Sequence, residues 1–151
     1  MITVIKIIDR YIGEIICNFL SIFKRRKGID AEKIDRILVV QLWGIGETIL
    51  VLPAIEALRK KFPKAKINVL ATSRNMGVFF DNKDINSIIA VKLNPFSIFK
   101  FILKNIKEYD LVIDMEEYLN ISAITAFFTG KRAVGYSHGA RAKLYTLKVK
   151  Y

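Results

Sequence analysis

Two glycines and an acid, Gly44-Ile45-Gly46-Glu47, stand between an apolar run and a stretch of helical character. In open parallel sheets this kind of junction is where ligands bind. The spacing excludes two phosphate-binding devices. The third glycine of G-x-G-x-x-G would fall at Ile49, and no Gly-Lys-Ser/Thr follows as in a P-loop. What remains is a tight turn carrying a carboxylate, with Thr48 beside it. A helix N-terminus favours negative charge, so Glu47 suits its place whether it acts on a substrate or only stabilises the helix. Asp114 closes a second apolar run, where a site residue or a helix cap is expected. Arg74, Lys131, Arg132 and Arg141 are cations able to meet an anionic substrate, or to lie solvated on the surface. His138, beside Gly139, reads as a loop residue. With one histidine and one cysteine, Cys17, the chain has neither an intramolecular disulfide nor a metal cluster built on those residues.

The elements that must position these groups fit a folded domain. The 151 residues are 52% hydrophobic and 26% charged, which excludes a disordered chain. The net charge of +11 favours an anionic partner: phospholipid, nucleic acid or a phosphorylated sugar. Arg36–Leu42 is a continuous apolar run, the mark of a strand buried on both faces. Glu47–Phe62 reads as a helix with Pro53 early in it, Lys66–Ala71 as a strand, and Arg74–Phe80 as a short helix at most. Ser87–Leu93, Asp110–Asp114 and Arg132–Tyr136 read as further strands, and Pro95–Lys107 and Tyr118–Thr129 as helices. Such alternation predicts an α/β fold with a doubly wound, mainly parallel sheet. The chain from Lys131 onward has six basic residues and no acidic one.

Residues 1–28 stand apart as an amphipathic helix with a basic end, ahead of the α/β domain at 29–151. Lys6, Asp9, Arg10 and Glu14 interrupt the apolar run too often for a membrane span, which needs about 20 mostly apolar residues. No small-residue cleavage site follows, against a signal peptide. Val4, Ile5, Ile8, Tyr11, Ile12, Ile15, Ile16, Phe19 and Phe23 recur at helical spacing, with Lys6, Arg10, Glu14, Asn18 and Ser21 opposite. Lys24-Arg25-Arg26-Lys27 comes next, then Gly28 as a helix stop. An apolar edge followed by cations suits a helix lying among anionic head groups. The alternative is a helix packed on the domain with a solvated basic run. Nucleic acid is a weaker partner, because the segment lacks interleaved aromatic and basic residues. The helix Pro95–Lys107 reads as core first, yet Lys100, Lys104 and Lys107 on its flank would also let it rest on lipid.

The string ILVVQLWGIGETILVLPAIEALRKKFPKAKINVLA resembles the opening of glycosyltransferase family 9, the heptosyltransferase family of GT-B enzymes. Its elements are Ile37–Leu42, Gly44–Glu47, Pro53-Ala54, Leu58-Arg59, Phe62-Pro63 and Ile67–Ala71. A second block, Tyr109–Asp114, then Gly130-Lys131-Arg132 and Val134-Gly135-Tyr136, extends the likeness over about residues 36–147. The resemblance implies a Rossmann-like N-terminal lobe and inverting sugar transfer from a nucleotide-sugar co-substrate, with no catalytic metal or other cofactor. It also implies that the acid of the turn is the general base, an aspartate in the family and Glu47 here. The neighbouring Gly44, Gly46 and Thr48, with Arg74, Asp114, Lys131, Arg132 and Arg141, become substrate-binding candidates. Glu116 and Glu117 depart from the family's Gln-Gly continuation.

GT-B enzymes have two such lobes, and the donor nucleotide binds chiefly to the second. A chain of 151 residues holds one. Three readings follow. The chain is the acceptor-binding half of a glycosyltransferase, peripheral on the inner face of the cell membrane, working with a separately encoded donor lobe. Otherwise it is a truncated, non-catalytic remnant or binding module, or an unrelated basic domain that binds nucleic acid.

Overall fold

The computed structural model describes residues 7–23 and 34–150. The Lys24–Lys27 run and Gly28 lie outside the described residues. Six strands form one parallel sheet: β1 (Arg36–Val40), β2 (Lys66–Thr72), β3 (Ser87–Val91), β4 (Tyr109–Asp114), β5 (Gly130–Tyr136) and β6 (Leu147–Val149), in the order β3-β2-β1-β4-β5-β6. The expected α/β architecture is present. The sixth strand falls in the basic tail, where exposed residues gave no apolar run; it pairs Val134 with Leu147 and Tyr136 with Val149.

Strand β1 sits at the centre, with Ile37 opposite both Ile67 and Leu111. Successive side chains of a strand point to opposite faces. Leu38 and Val40 therefore enter one core with Ile98, Ile102, Ala123 and Ala126, while Ile37 and Val39 enter the other with Val51, Ile55 and Phe79. Helix α2 (Ile45–Lys61) covers the second core, and α3 (Pro95–Lys104) and α4 (Asn120–Thr129) cover the first. Helix α2 begins two residues earlier than the sequence indicates, so Pro53 lies two turns inside it. Proline there leaves the Ile49 carbonyl without its helical donor. Both residues are on the exposed side, where water serves instead. Residues 74–80 form only a short 3₁₀ turn, Met76–Phe79.

The N-terminal segment is helical, a π-helical turn at Asp9–Gly13 running into α1 (Glu14–Ser21). It packs on the domain by its small and polar side. The Asp9 carboxylate accepts the backbone N–H groups of Asn120 (2.7 Å) and Ile121 (2.8 Å), capping α4. Gly13 lets Asn120 approach so closely that a methyl group at Gly13 would stand 2.7 Å from its Cβ, and Cys17 is fully buried. Burial pushes the Asp9 carboxyl up, against the downward pull of the two amides. The large apolar residues face outward: Ile15 is 69% exposed and Ile22 76%. Among the described residues no helix is long and apolar enough to cross a membrane.

Candidate functional site

The strand order reverses at β1: the chain leaves β1 for β2 on one side, and β4 returns on the other. Such a switch point opens a crevice at the carboxyl ends of the two strands. A cavity of about 190 Å³ lies there, lined among others by Gln41, Trp43, Glu47, Met115, Glu116 and Tyr136. A larger cavity of about 510 Å³ lies at the opposite, amino ends of β4 and β5, between Phe23, Lys107, Phe127 and Arg132. The first is the candidate site, because the groups able to do chemistry converge there.

Gly44 makes the turn. Its φ of 73° is in the region that disfavours side chains, and a Cβ on it would overlap the Glu47 carboxylate, which folds back over the Gly44 α-carbon. A Cβ at Gly46 would meet nothing within 4 Å. Glu47 is exposed in the first turn of α2 and borders the cavity. Thr48 is buried beneath, its hydroxyl donating to the Gly44 carbonyl and accepting from Asn75 Nδ2 (2.9 Å).

The turn is held from two sides. Asn75, after β2, donates to the Gln41 carbonyl (2.9 Å) as well as to Thr48, and accepts from the Thr72 amide (2.9 Å) and hydroxyl (3.0 Å). From β4, one oxygen of Glu116 accepts the backbone N–H groups of Leu42 and Trp43, each at 2.6 Å. Burial, and then the Asp114 carboxylate nearby, push the Glu116 carboxyl up to about 7, although the two amides pull it down. The Arg74 guanidinium lies 5.4 Å from the centre of the Trp43 ring, a cation–π distance. Gln41 Nε2 donates to the Trp43 carbonyl (2.6 Å), and its buried Oε1 has no partner among the described residues.

Behind the cavity, Asp114 gathers a buried network in which Arg141 Nη1 is left without a partner among the described residues. It accepts from Arg141 Nη2 (2.9 Å), the Tyr145 hydroxyl (2.6 Å) and the Ser122 hydroxyl (2.8 Å) on one oxygen, and from the Glu116 amide (3.1 Å) on the other. Burial alone would lower Arg141, but Asp114 beside it and Tyr145 hold it protonated, above the usual arginine range. Burial and Asp114 push the Tyr145 hydroxyl up as well. Gly135 leaves room for the Tyr145 ring, which a side chain there would strike.

No family model matches the chain. Lipopolysaccharide heptosyltransferase 3 of Escherichia coli is 22% identical in an alignment of 113 residues that covers 68% of this chain and 33% of that protein. The family 9 glycosyl transferase of Veillonella parvula superposes with a TM-score of 0.65 at 21% identity, over 83% of this chain and 38% of that one. Heptosyltransferase WaaC of E. coli, solved with ADP, superposes with a TM-score of 0.62 at 19% identity, over 76% and 40%. The chain is similar in sequence to a lipopolysaccharide heptosyltransferase and shares the fold of the solved family 9 glycosyl transferase and of heptosyltransferase WaaC. It spans about a third of the length of the curated relative and about two fifths of the solved ones.

In the heptosyltransferase-like fold, the residues singled out from sequence separate into three places. Gly44, Gly46, Glu47 and Thr48 form the turn at the crevice, and Arg74 joins them through Trp43. Asp114 and Arg141 are buried behind it, 1% and 2% exposed, and bind one another rather than a ligand surface. Asp114 caps no helix either; that role belongs to Asp9. Lys131 and Arg132 open β5, so they stand at the amino edge of the sheet, away from the crevice, and Lys131 pairs with Asp110 at 2.8 Å. His138 is in a loop, its Nε2 2.6 Å from the Glu117 carbonyl. Among the described residues no three His, Cys, Asp or Glu side chains are grouped to hold a metal ion. Gln41, Trp43, Asn75, Glu116 and Tyr136 are the site residues that sequence reasoning missed. The strand order would have found most of them, since they lie just beyond the carboxyl ends of β1, β2 and β4 or late in β5.

Proposed function

We propose that this chain is the acceptor-binding half of an inverting glycosyltransferase that works without a catalytic metal. It would move a sugar from a nucleotide-sugar to a lipid-linked or surface-glycan acceptor at a membrane, together with a donor-binding lobe. The carrying observation is Glu47, an acid on the first helical turn at the sheet's switch point, bordering the cavity. The likeness to heptosyltransferases supports the same reading. The acceptor hydroxyl oxygen attacks the anomeric carbon as its proton passes to the Glu47 carboxylate. The bond from that carbon to the nucleoside diphosphate breaks, the electron pair leaves with the phosphate, and the anomeric configuration inverts. Arg74, stacked against Trp43 at the cavity's wall, supports an anionic acceptor on this reading. With a donor lobe supplied, Glu47→Gln should lower transfer about 100-fold or more while the fold is kept. Undiminished turnover would remove Glu47 as the base.

A non-catalytic binding module is the second reading. It is favoured by the glutamate in place of the family's aspartate and by the folding of its carboxylate over Gly44. Misplacing a catalytic group by about an ångström costs about 100-fold. On the transferase reading Glu47→Asp therefore raises or keeps turnover, and on the module reading neither acid supports any.

Two helical faces support a seat on an anionic membrane surface, peripheral on its inner side. Both α1 and α3 pack against α4, on the same side of the sheet. Helix α3 buries Ile98, Phe101 and Ile102 and turns Phe96, Phe99 and Leu103 outward, Phe96 being 77% exposed. Lys100 and Lys104 are exposed along it; the helix ends at Lys104, short of the expected Lys107, whose ammonium instead donates to the Phe127 and Gly130 carbonyls. Cations beside an apolar face contribute about 1 kcal/mol each near anionic lipid. Co-sedimentation with phosphatidylglycerol vesicles should fall several-fold for Ile15→Asp with Ile22→Asp, and again for Phe96→Asp with Phe99→Asp. Binding equal to that of the unaltered chain in both would remove the membrane from this reading.

A further inference from the structure

We propose that Glu116 is the positioning residue of the crevice, a carboxylate clamp whose proton controls how firmly the Leu42–Glu47 turn is held. The inference rests on the reading above only in taking Glu47 as the group presented; the clamp itself stands on geometry. Consecutive backbone amides, Leu42 and Trp43, converge on a single Glu116 oxygen at 2.6 Å. These amides lie between the end of β1 and Gly44, so whatever fixes them fixes the first turn of α2. Glu116 is 3% exposed and has no ion-pair partner among the described residues, so its hydrogen bonds are what offset its burial. An ionised acceptor makes such bonds about twice as strong as a neutral one. Gaining a proton thus slackens both at once.

Several charged or titratable groups surround it. Asp114 precedes it on the same strand exit, and Arg141 reaches Asp114 from the turn after β5. Glu47 of α2, Glu117 and Tyr136 of β5 line the same cavity, His138 is held at the Glu117 carbonyl, and Arg74 lies over Trp43. Burial and Asp114 raise the Glu116 carboxyl to about 7, so the clamp changes state across the neutral range.

Trp43 is the one tryptophan of the chain, and its own amide is one of the two clamped. Its fluorescence in the full chain therefore reports the turn with no need of a transfer assay. With a midpoint at about 7, Glu116 goes from about a tenth ionised at pH 6 to about nine tenths at pH 8. The emission should follow that curve. Glu116→Gln should abolish the transition and keep the low-pH emission throughout, while His138→Gln and Glu47→Gln should retain it. A transition that survives Glu116→Gln, or that disappears with His138→Gln, overturns the clamp. Should Glu116→Gln fail to fold, the amide protons of Leu42 and Trp43 in the unaltered chain decide by NMR. A shared midpoint near pH 7 supports the proposal, and amides that do not titrate defeat it. Loss of transfer in Glu47→Gln with the fluorescence transition intact separates the two ideas.

Discussion

Asp114 and Glu116 are buried carboxylates two residues apart at the exit of one strand, yet they are held in opposite ways. Asp114 faces an arginine, a tyrosine and a serine, a set that neutralises it and ties β4 to α4 and to the turn after β5. Glu116 faces two backbone amides and an open cavity. In the first arrangement both carboxylate oxygens are buried and already accept hydrogen bonds, which leaves neither for a ligand. The second leaves a carboxylate whose direct hydrogen bonds come from backbone amides, with Arg141 acting on it only at a distance, beside the residue most able to act on a substrate. Burial alone therefore does not sort structural from functional acids; the partners do.

The comparison breaks most sharply at Arg141. Arg141→Ala leaves Asp114 buried and unpaired, at a cost of about 3–5 kcal/mol in urea unfolding. Arg141→Lys should recover only part, because one nitrogen on a flexible stem loses the Nε bond to the Tyr145 hydroxyl and the rigid planar fork of the guanidinium. A loss below about 1 kcal/mol would mean that the network is not what holds the turn after β5 to the domain.

Glu116→Gln should act in the other direction, and its sign depends on pH. The folded chain raises this carboxyl to about 7, so its contribution to stability is complete below about pH 4.5 and is lost as pH rises through about 7. Glutamine keeps an acceptor for the two amides and never ionises. The variant should be more stable than the unaltered chain at pH 8, by about 1–3 kcal/mol, and should show no advantage at pH 4.5. Urea unfolding at the two pH values checks it. A variant destabilised at pH 8 and not at pH 4.5 would show that the ionised carboxylate is worth more to the turn than its burial costs.

The same contrast explains what was legible in the sequence. Buried parallel strands announce themselves as continuous apolar runs, and Arg36–Val40 and Tyr109–Asp114 were readable for that reason. The docking side of the N-terminal helix was not, because Asp9, Gly13 and Cys17 are small or polar while the apolar stripe points away from the domain. Arg141 read as a substrate-binding candidate or a solvated cation of the basic tail; its partner is 27 positions earlier, and only the order of β4 and β5 brings them together. Glu116 read as a departure from a family pattern. It becomes a clamp only because β1 and β4 are neighbours, which no local spacing encodes.

The smallest effect tests the turn itself, through two glycines that look alike in sequence. Gly44→Ala places a methyl group at a φ of 73° and into the space of the Glu47 carboxylate, so it must strain the backbone and expel the acid. A non-glycine residue in such a region costs about 1–3 kcal/mol. Gly46 is helical and open, so Gly46→Ala should instead stabilise by about 0.5–1 kcal/mol. Thermal unfolding of the two variants should move in opposite directions, and only Gly44→Ala should disturb Trp43 emission, because only Gly44 sets where the clamped amides lead. Equal and opposite shifts with both emissions unchanged would place the rigidity of the turn in the Asn75 hydrogen bonds rather than in Gly44 and Glu116.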